Sequence, residues 1–444
     1  MRPASLFIVF IVICHLELGL PSSCRAETST PNFIIIFIDD MGYGDLGCYG
    51  NTTTRTPNID RMAAEGLRFT SFYTSCPVCT PSRAGLLTGR YPIRSGLTRV
   101  LFPSSKDGIE DKEWTLAEGL KERGYSTACI GKWHLGHLPE FLPTRHGFDS
   151  YFGIPYSNDM DLVQRAEPPL PLMRNEAIIE QPANQDTLTR RYTEEAVGFI
   201  EAQKDQPFFL YLAHTMVHVP LHVSPEFKGH SASGLYGDVV EEIDWSVGQI
   251  LAALERLHLD EKTLVVFTSD NGPWLIMKDH GGSAGPLRKG KGTTFEGGVR
   301  EPGIFRWKGT MAPNRVTDEP AVNLDLFPTF LLLSGGTLPE NPVLDGEDIR
   351  GILLGNGHRA SQNFFFFHRE NLQAYRSGDW KLKRASVEKT VNEPDLLPTM
   401  LFHISDDISE KNNLADKFPD RVKQMEQEMQ AFEASLGDLP PGKR

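Results

Sequence analysis

Short apolar runs that stop abruptly at polar residues set the rhythm of this chain. Asn32 to Ile38 (NFIIIFI) is β-branched and aromatic without polar alternation, the pattern of a strand covered on both faces, and it ends at Asp39-Asp40. Thr56 to Gly66 spaces its apolar residues for a short helix, and Leu67 to Tyr73 for a strand. Trp114 to Arg123 predicts a helix that leads through Gly124 into a strand at Tyr125 to Ile130. The alternation continues with a helix over Asp186 to Gln203 and a strand over Pro207 to Ala213 (PFFLYLA). A long amphipathic helix over Asp238 to Leu257 and a strand over Thr263 to Ser269 (TLVVFTS) follow. Strands alternating with helices predict an α/β fold with a mainly parallel sheet, helices on both faces.

The rhythm changes after an apolar helix at Asp325 to Ser334 and a loose stretch from Gly335 to His358. Short strands are expected at Asn363 to Phe367, Gln373 to Arg376, Trp380 to Lys383 and Leu401 to Ile404, then a helix from Pro419 to Ser435. This reads as a smaller C-terminal antiparallel sheet plus helix. The expected division is therefore a signal peptide at 1–26, an α/β catalytic domain at 27–358 and an α+β subdomain at 359–444.

The signal reading rests on Arg2, the apolar run Leu6 to Cys14 and the small residue Ala26 after Cys24-Arg25. That run is too short for a bilayer, which takes about 20 apolar residues. Lipid attachment at Cys24 is the alternative, which Pro21 fits poorly. No later segment looks like a membrane helix, so an exported protein is expected: periplasmic or secreted if bacterial, lysosomal or secreted if eukaryotic. Lys and Arg total 45 against 58 Asp and Glu, a formal charge of −13 that argues against a nucleic-acid partner. Of six cysteines, Cys48, Cys76, Cys79 and Cys129 lie beyond the signal, too few for a disulfide scaffold in a chain of 444 residues.

Three predicted strand ends carry polar clusters: Asp39-Asp40, Lys132-x-His134 and Asp270-Asn271-Gly272. Ligand sites of open α/β sheets lie at strand carboxyl ends. Three acids and an amide buried there require cations, and all-oxygen ligands suit Ca²⁺ or Mg²⁺ better than zinc. The alternative is that each acid caps a following helix or turn.

Cys79-Thr80-Pro81-Ser82-Arg83 resembles the Cys-x-Pro-Ser-Arg signature of the type I, formylglycine-dependent sulfatases, and Ala84 to Arg90 (AGLLTGR) extends the match. Gly131 to Gly136 (GKWHLG), His218-Val219-Pro220, Asp270 to Pro273 (DNGP) and Gly290 to Arg300 (GKGTTFEGGVR) look like further blocks of that family, in the same order. Phe148 to Ser157 (FDSYFGIPYS) resembles the arylsulfatase A and N-acetylgalactosamine-6-sulfatase branch. The resemblance implies an alkaline-phosphatase-like fold and hydrolysis of a carbohydrate or aryl sulfate monoester. It implies that a formylglycine-generating enzyme oxidises Cys79 to an aldehyde, whose hydrate attacks sulfur and later expels sulfate by reforming its C=O bond. Arg83, Lys132 and Lys291 would hold the dianionic transition state. His134 would take a proton from the sulfated intermediate, and His218 with Lys291 would protonate the leaving alcohol. Asp39, Asp40, Asp270, Asn271 and residue 79 would bind one Ca²⁺, with Asp270 also placed to accept the nucleophile's proton. Arg83 stands one helical turn after Cys79 if a helix starts near Pro81. His214 is a candidate supporting residue.

Cys76-x-x-Cys79 also has a redox or zinc reading, but no thioredoxin-like unit or second ligand pair accompanies it. The enzymatic rival is a phosphonate or phosphate ester hydrolase of the same superfamily. The rival of another class is an unmatured carbohydrate-binding protein that keeps the thiol. Ser157-Asn158-Asp159 departs from close relatives, which carry a histidine after the serine, and Leu162 to Asp186 follows no family pattern. The C-terminal resemblance is thin. Asn51-Thr52-Thr53 is a glycosylation sequon.

Overall fold

The computed structural model describes residues 30–161, 166–389 and 394–437. The signal peptide and the lipid-attachment alternative at Cys24 lie outside the described residues. No helix among those described is long and apolar enough to cross a membrane.

The strands β1 (Asn32–Ile38), β2 (Leu67–Tyr73), β3 (Ser126–Gly131), β4 (Ser150–Gly153), β5 (Leu172–Arg174), β6 (Ala177–Glu180), β7 (Phe208–Ala213), β8 (Thr263–Ser269), β9 (Arg300–Arg306), β10 (Arg315–Thr317) and β11 (Ala321–Val322) form one sheet. Its order is β10-β2-β9-β8-β1-β7-β3-β4-β5-β6, with β11 beside β2. The centre, β8-β1-β7-β3-β4, is parallel throughout. The unbroken apolar sequence of β1 has a direct structural cause. Ile34, Ile36 and Ile38 enter one core with Tyr192, Ile200, Val240 and Ile250 of the helices Leu188–Ala202 and Gly234–Arg256. Phe33, Ile35 and Phe37 enter the opposite core with Leu86, Leu120 and Phe330 of the helices Cys79–Thr88, Leu116–Lys121 and Leu326–Leu333.

The periodicity did not mark β4, β5, β6, β9, β10 or β11 as strands, and β9 is the longest of these. β9 (REPGIFR) is fully buried and runs antiparallel between β8 and β2, yet it contains three charges, a proline and a glycine. Pairing offsets the burial of two of those charges: Arg300 donates to Thr70 O at 2.6 Å and to Glu296 at 3.0 Å, and Arg306 donates to Glu65 at 2.6 Å. Hydropathy cannot register such partners, because they come from other elements.

The expected C-terminal sheet is present as β12 (Asn363–His368), β13 (Asn371–Ser377), β14 (Trp380–Lys383) and β17 (Met400–His403), all antiparallel. A separate hairpin pairs β15 (Ser386–Lys389) with β16 (Pro394–Leu397). The helix Pro419–Ser435 closes the unit, with Phe432 stacked on Phe365 at 3.7 Å between ring centroids. Its core is shared with the large sheet, since Tyr73, Val299, Val322 and Leu324 pack among Phe364, Phe366 and Leu382. A buried ionic cluster crosses the same junction. Glu296 accepts from Tyr73 Oη at 2.7 Å, Lys381 Nζ at 2.8 Å and Arg300 Nη1 at 3.0 Å, while its backbone N–H donates to Glu410 at 2.7 Å.

Candidate active site

The four central strands deliver the candidate residues to one place, because their carboxyl ends are neighbours. Asp39 and Asp40 follow β1, Lys132 and His134 follow or adjoin β3, His218 lies in the segment after β7, and Asp270 and Asn271 follow β8. Backbone bonds carry the register past the strand ends: Lys132 N donates to Ala213 O at 2.8 Å, Asp270 N to Ile38 O at 2.9 Å and Val217 N to Asp39 O at 3.0 Å. The fifth contributor is the helix Cys79–Thr88, which begins at the cysteine itself rather than near Pro81. Cys79 is thereby at the first helical position, and Arg83 lies one turn below it.

Ligand atoms of Asp39, Asp40, Cys79 and His218 all lie within 4.8 Å of one another, and all four residues are buried. Each acid of the site has a protein cation. Lys132 Nζ stands 2.5 Å from Asp39 Oδ2, Lys291 Nζ 2.7 Å from Asp40, and Arg83 Nη2 2.8 Å from Asp270 Oδ2. Arg83 is wholly buried, its Nε and Nη2 given to Asp270 and its Nη1 to Lys132 O at 2.9 Å. It therefore sits under the cluster as a fixed charge. Asn271 Nδ2 donates to Asp40 Oδ1 at 2.7 Å, whereas the buried Asn271 Oδ1 has no protein donor.

Burial opposes ionisation of Asp39, but Lys132 and the other cations outweigh it and hold the carboxyl well below the usual range. The neighbouring Asp270 is pushed up, by burial first and then by the charge on Asp39. Burial also raises the Cys79 thiol, so an unmodified Cys79 is a poor thiolate nucleophile.

The two candidate proton carriers have defined tautomers. His134 Nε2 lies 2.9 Å from Leu101 O, which accepts only from an N–H, leaving the buried Nδ1 free to take a proton. Burial, then Lys132, holds this imidazole well below its ordinary pKa. His218 donates from Nδ1 to Val219 O at 2.6 Å and turns Nε2 toward Asp40 Oδ2, 3.6 Å away. Burial and Lys291 lower its pKa as well.

Asp40 and His134 both hold left-handed backbone conformations, with φ of 63° and 60°. Each costs on the order of 1 kcal/mol for a residue with a Cβ, strain that clusters at functional sites. Gly272 is required sterically, because a Cβ there would fall 1.8 Å from Gly297 O, where the Asp270 loop rests on the segment bearing Lys291.

His214 is not part of this cluster. It points to Ser246 Oγ at 3.1 Å on the helix Gly234–Arg256, and burial takes its pKa to about 3. Cys76 and Cys79 are both free thiols, and Cys76 Sγ is directed at Phe367 O, 3.5 Å away. Three participants went unnoticed in the sequence. Ser157 Oγ accepts from Lys132 Nζ at 3.0 Å, and Thr80 Oγ donates to His134 O at 2.8 Å. Trp274 packs against both His218 and Lys291. Their only sequence signal was position, at the end of the Phe148 to Ser157 block, inside the cysteine motif, and directly after Asp270 to Pro273.

A polar, charge-rich cluster at the carboxyl ends of four parallel strands, with a smaller antiparallel sheet alongside, defines an alkaline-phosphatase-like α/β hydrolase. The sulfatase family model matches residues 31–336. Arylsulfatase A of Bos taurus is 42% identical over 461 aligned residues, covering 93% of this chain and 90% of that protein. N-acetylgalactosamine-6-sulfatase of Canis lupus familiaris is 45% identical, covering 79% and 71%. The crystal structure of PsFucS1 sulfatase from Pseudoalteromonas sp. superposes with a TM-score of 0.85 at 32% identity, covering 93% of this chain and 91% of that one. The chain belongs to the sulfatase family and is a sulfuric ester hydrolase.

Proposed function

We propose that this enzyme hydrolyses the sulfate monoester of a sugar or aryl alcohol, with residue 79 acting as formylglycine. The observation that carries the reading is the convergence of Cys79 with Asp39, Asp40 and His218, framed by Lys132 and Lys291. Cys79 Sγ, 3.6 Å from Asp39 Oδ1, stands in for the oxygens of the oxidised and hydrated residue. That form supplies an oxygen nucleophile and, by reforming its C=O bond, a route for sulfate to depart.

The donor set fits a hard cation, since it comprises three carboxylates and an amide oxygen, Asn271 Oδ1, that is buried without a protein partner. Asp39, Asp40, Asp270, Asn271 and residue 79 would hold one Ca²⁺, which would neutralise sulfate charge and acidify the attacking hydroxyl. Lys132 and Lys291 bind the sulfate oxygens, with Arg83 adding fixed positive charge from below. His134 takes a proton at its free Nδ1 from residue 79. His218, with Lys291 beside it, donates from Nε2 to the leaving oxygen once protonated. A formylglycine-generating enzyme is the maturation partner, and the enzyme works after export, in a lysosomal, periplasmic or extracellular compartment.

The intact mass of the tryptic peptide containing residue 79 tests the reading first. An aldehyde or its hydrate is expected, and a thiol in active enzyme refutes it. kcat/KM on matched aryl sulfate and aryl phosphonate esters should favour the sulfate. A preference for the phosphonate would assign the rival ester class.

A further inference from the structure

We propose that Trp274 is the platform on which the leaving group's ring is seated, so that the enzyme selects sulfate esters of cyclic alcohols and phenols over open-chain ones. The proposal rests on the reading that His218 and Lys291 flank the leaving oxygen.

The indole touches both of those groups. Its ring centroid lies 5.4 Å from the His218 imidazole, tilted 45° to it, and Lys291 Nζ lies 4.5 Å from the indole centroid. An oxygen placed between Nε2 of His218 and Nζ of Lys291 therefore has its carbon skeleton beside Trp274. The side chain is only partly buried, and its indole N–H has no protein partner among the described residues. A partly exposed tryptophan offers an apolar face together with one donor, which suits a ring carrying hydroxyls or a phenol.

The backbone keeps this platform in register with the catalytic groups. Trp274 is four residues beyond Asp270 in the same loop, and Lys291 N donates to Pro273 O at 3.0 Å. Leu275 covers the Lys291 turn so closely that a Cβ on Gly290 would meet its Cγ at 3.1 Å. The apolar surface extends outward, since Leu275 is 40% and Ile276 64% exposed. Stacking of a ring on a tryptophan face combines area burial with a geometric preference that an open chain cannot satisfy. Lys291 over the indole also makes Trp274 a means of holding that cation, the ordinary structural role that the experiment has to separate from ring recognition.

The test uses the matured enzyme with cyclohexyl sulfate and n-propyl sulfate, whose leaving alcohols have similar acidity. In Trp274→Ala the ratio of kcat/KM for cyclohexyl over n-propyl sulfate should fall about tenfold, mostly through KM for the ring ester. Trp274→Phe, which keeps an aromatic face, should retain most of the ratio. An unchanged ratio in Trp274→Ala, whether both esters lose rate together or neither does, overturns the platform and leaves Trp274 a support for Lys291. If Trp274→Ala misfolds, the Phe variant and competitive inhibition of the parent by cyclohexanol against n-propanol decide the question, with equal inhibition counting against the proposal. Failure of the underlying reading looks different: His218→Ala and Lys291→Ala would then leave turnover of cyclohexyl sulfate undiminished.

Discussion

Among the described residues, the buried ionic cluster at the end of β1 and the one at the junction with the C-terminal sheet are organised differently. At the junction Glu296 accepts from Tyr73, Lys381 and Arg300, Lys381 also stands 3.0 Å from Glu410, and Arg376 donates to Tyr73 at 2.5 Å. Glu296, at the centre of this cluster, has both carboxylate oxygens bonded, and only Glu410 at its edge holds a left-handed backbone, with φ of 49°. At the end of β1 the acids also have cations, yet Asp40 and His134 are strained and Asn271 Oδ1 and His134 Nδ1 lack protein partners. Buried charge with its bonds completed within the protein fixes architecture. A cluster whose open atoms are an amide oxygen and a basic imidazole nitrogen, Asn271 Oδ1 and His134 Nδ1, is arranged for something that arrives later.

The largest effect should come from the nucleophile. Cys79→Ala is expected to lower kcat on the order of 10⁶-fold, as removal of a hydrolase nucleophile does, whereas Cys76→Ala should keep most activity. The reverse pattern in a steady-state assay would move the catalytic assignment to Cys76.

A matched pair of neutralising substitutions sharpens the contrast directly. Glu296→Gln removes the charge that three donors surround and should destabilise the fold by about 3–5 kcal/mol in urea titration. Asp40→Asn should cost less metal-free stability than Glu296→Gln, because asparagine tolerates the left-handed conformation and relief of repulsion from the neighbouring acids Asp39 and Asp270 offsets the lost Lys291 pair, while reducing kcat/KM on the order of 100-fold. Equal destabilisation by both variants would break the distinction between the clusters.

Metal should act on one cluster only. Ca²⁺ at 100 times its Kd stabilises a protein that binds it in the folded state by about 2.7 kcal/mol, so EDTA should lower Tm and Ca²⁺ should restore it better than Zn²⁺. An Asp40→Asn, Asp270→Asn double variant should show no Ca²⁺ response, while Glu296→Gln should keep it. A persisting response in the double variant would place the metal elsewhere.

The smallest expected effect is a pH dependence at the junction. Burial, then the nearby Glu296, raises Glu410 above its ordinary value toward about 7, although Lys381 pulls the other way. A raised carboxyl pKa stabilises the fold fully below the unfolded value near 4.5, and this contribution fades as pH rises through the neutral range. Stability measured by denaturation should therefore decline by about 1–2 kcal/mol over that window, and Glu410→Gln should flatten the decline. An unchanged slope in the variant would assign the titration to another group.

The sequence by itself determined the elements whose environment is uniform. β1, β7 and β8 have apolar centres because they are covered on both faces, and the strand ends with their acids were legible for the same reason. The helix Pro419–Ser435 was also legible, starting at its proline as that residue's fixed φ favours. The motif blocks marked out Asp39, Asp40, Cys79, Lys132, His218, Asp270, Asn271 and Lys291, which do meet. Only the tertiary structure decided the rest. β9 is a buried strand because Glu296 and Glu65 supply partners for Arg300 and Arg306. Arg83 is a fixed charge because Asp270 and the Lys132 carbonyl take its donors. Likewise His214 and His218, four residues apart, face Ser246 and Asp40. A residue's own pattern records how much of its surroundings is apolar, but hydrogen bonds and fields depend on which distant groups the fold brings within a few ångströms.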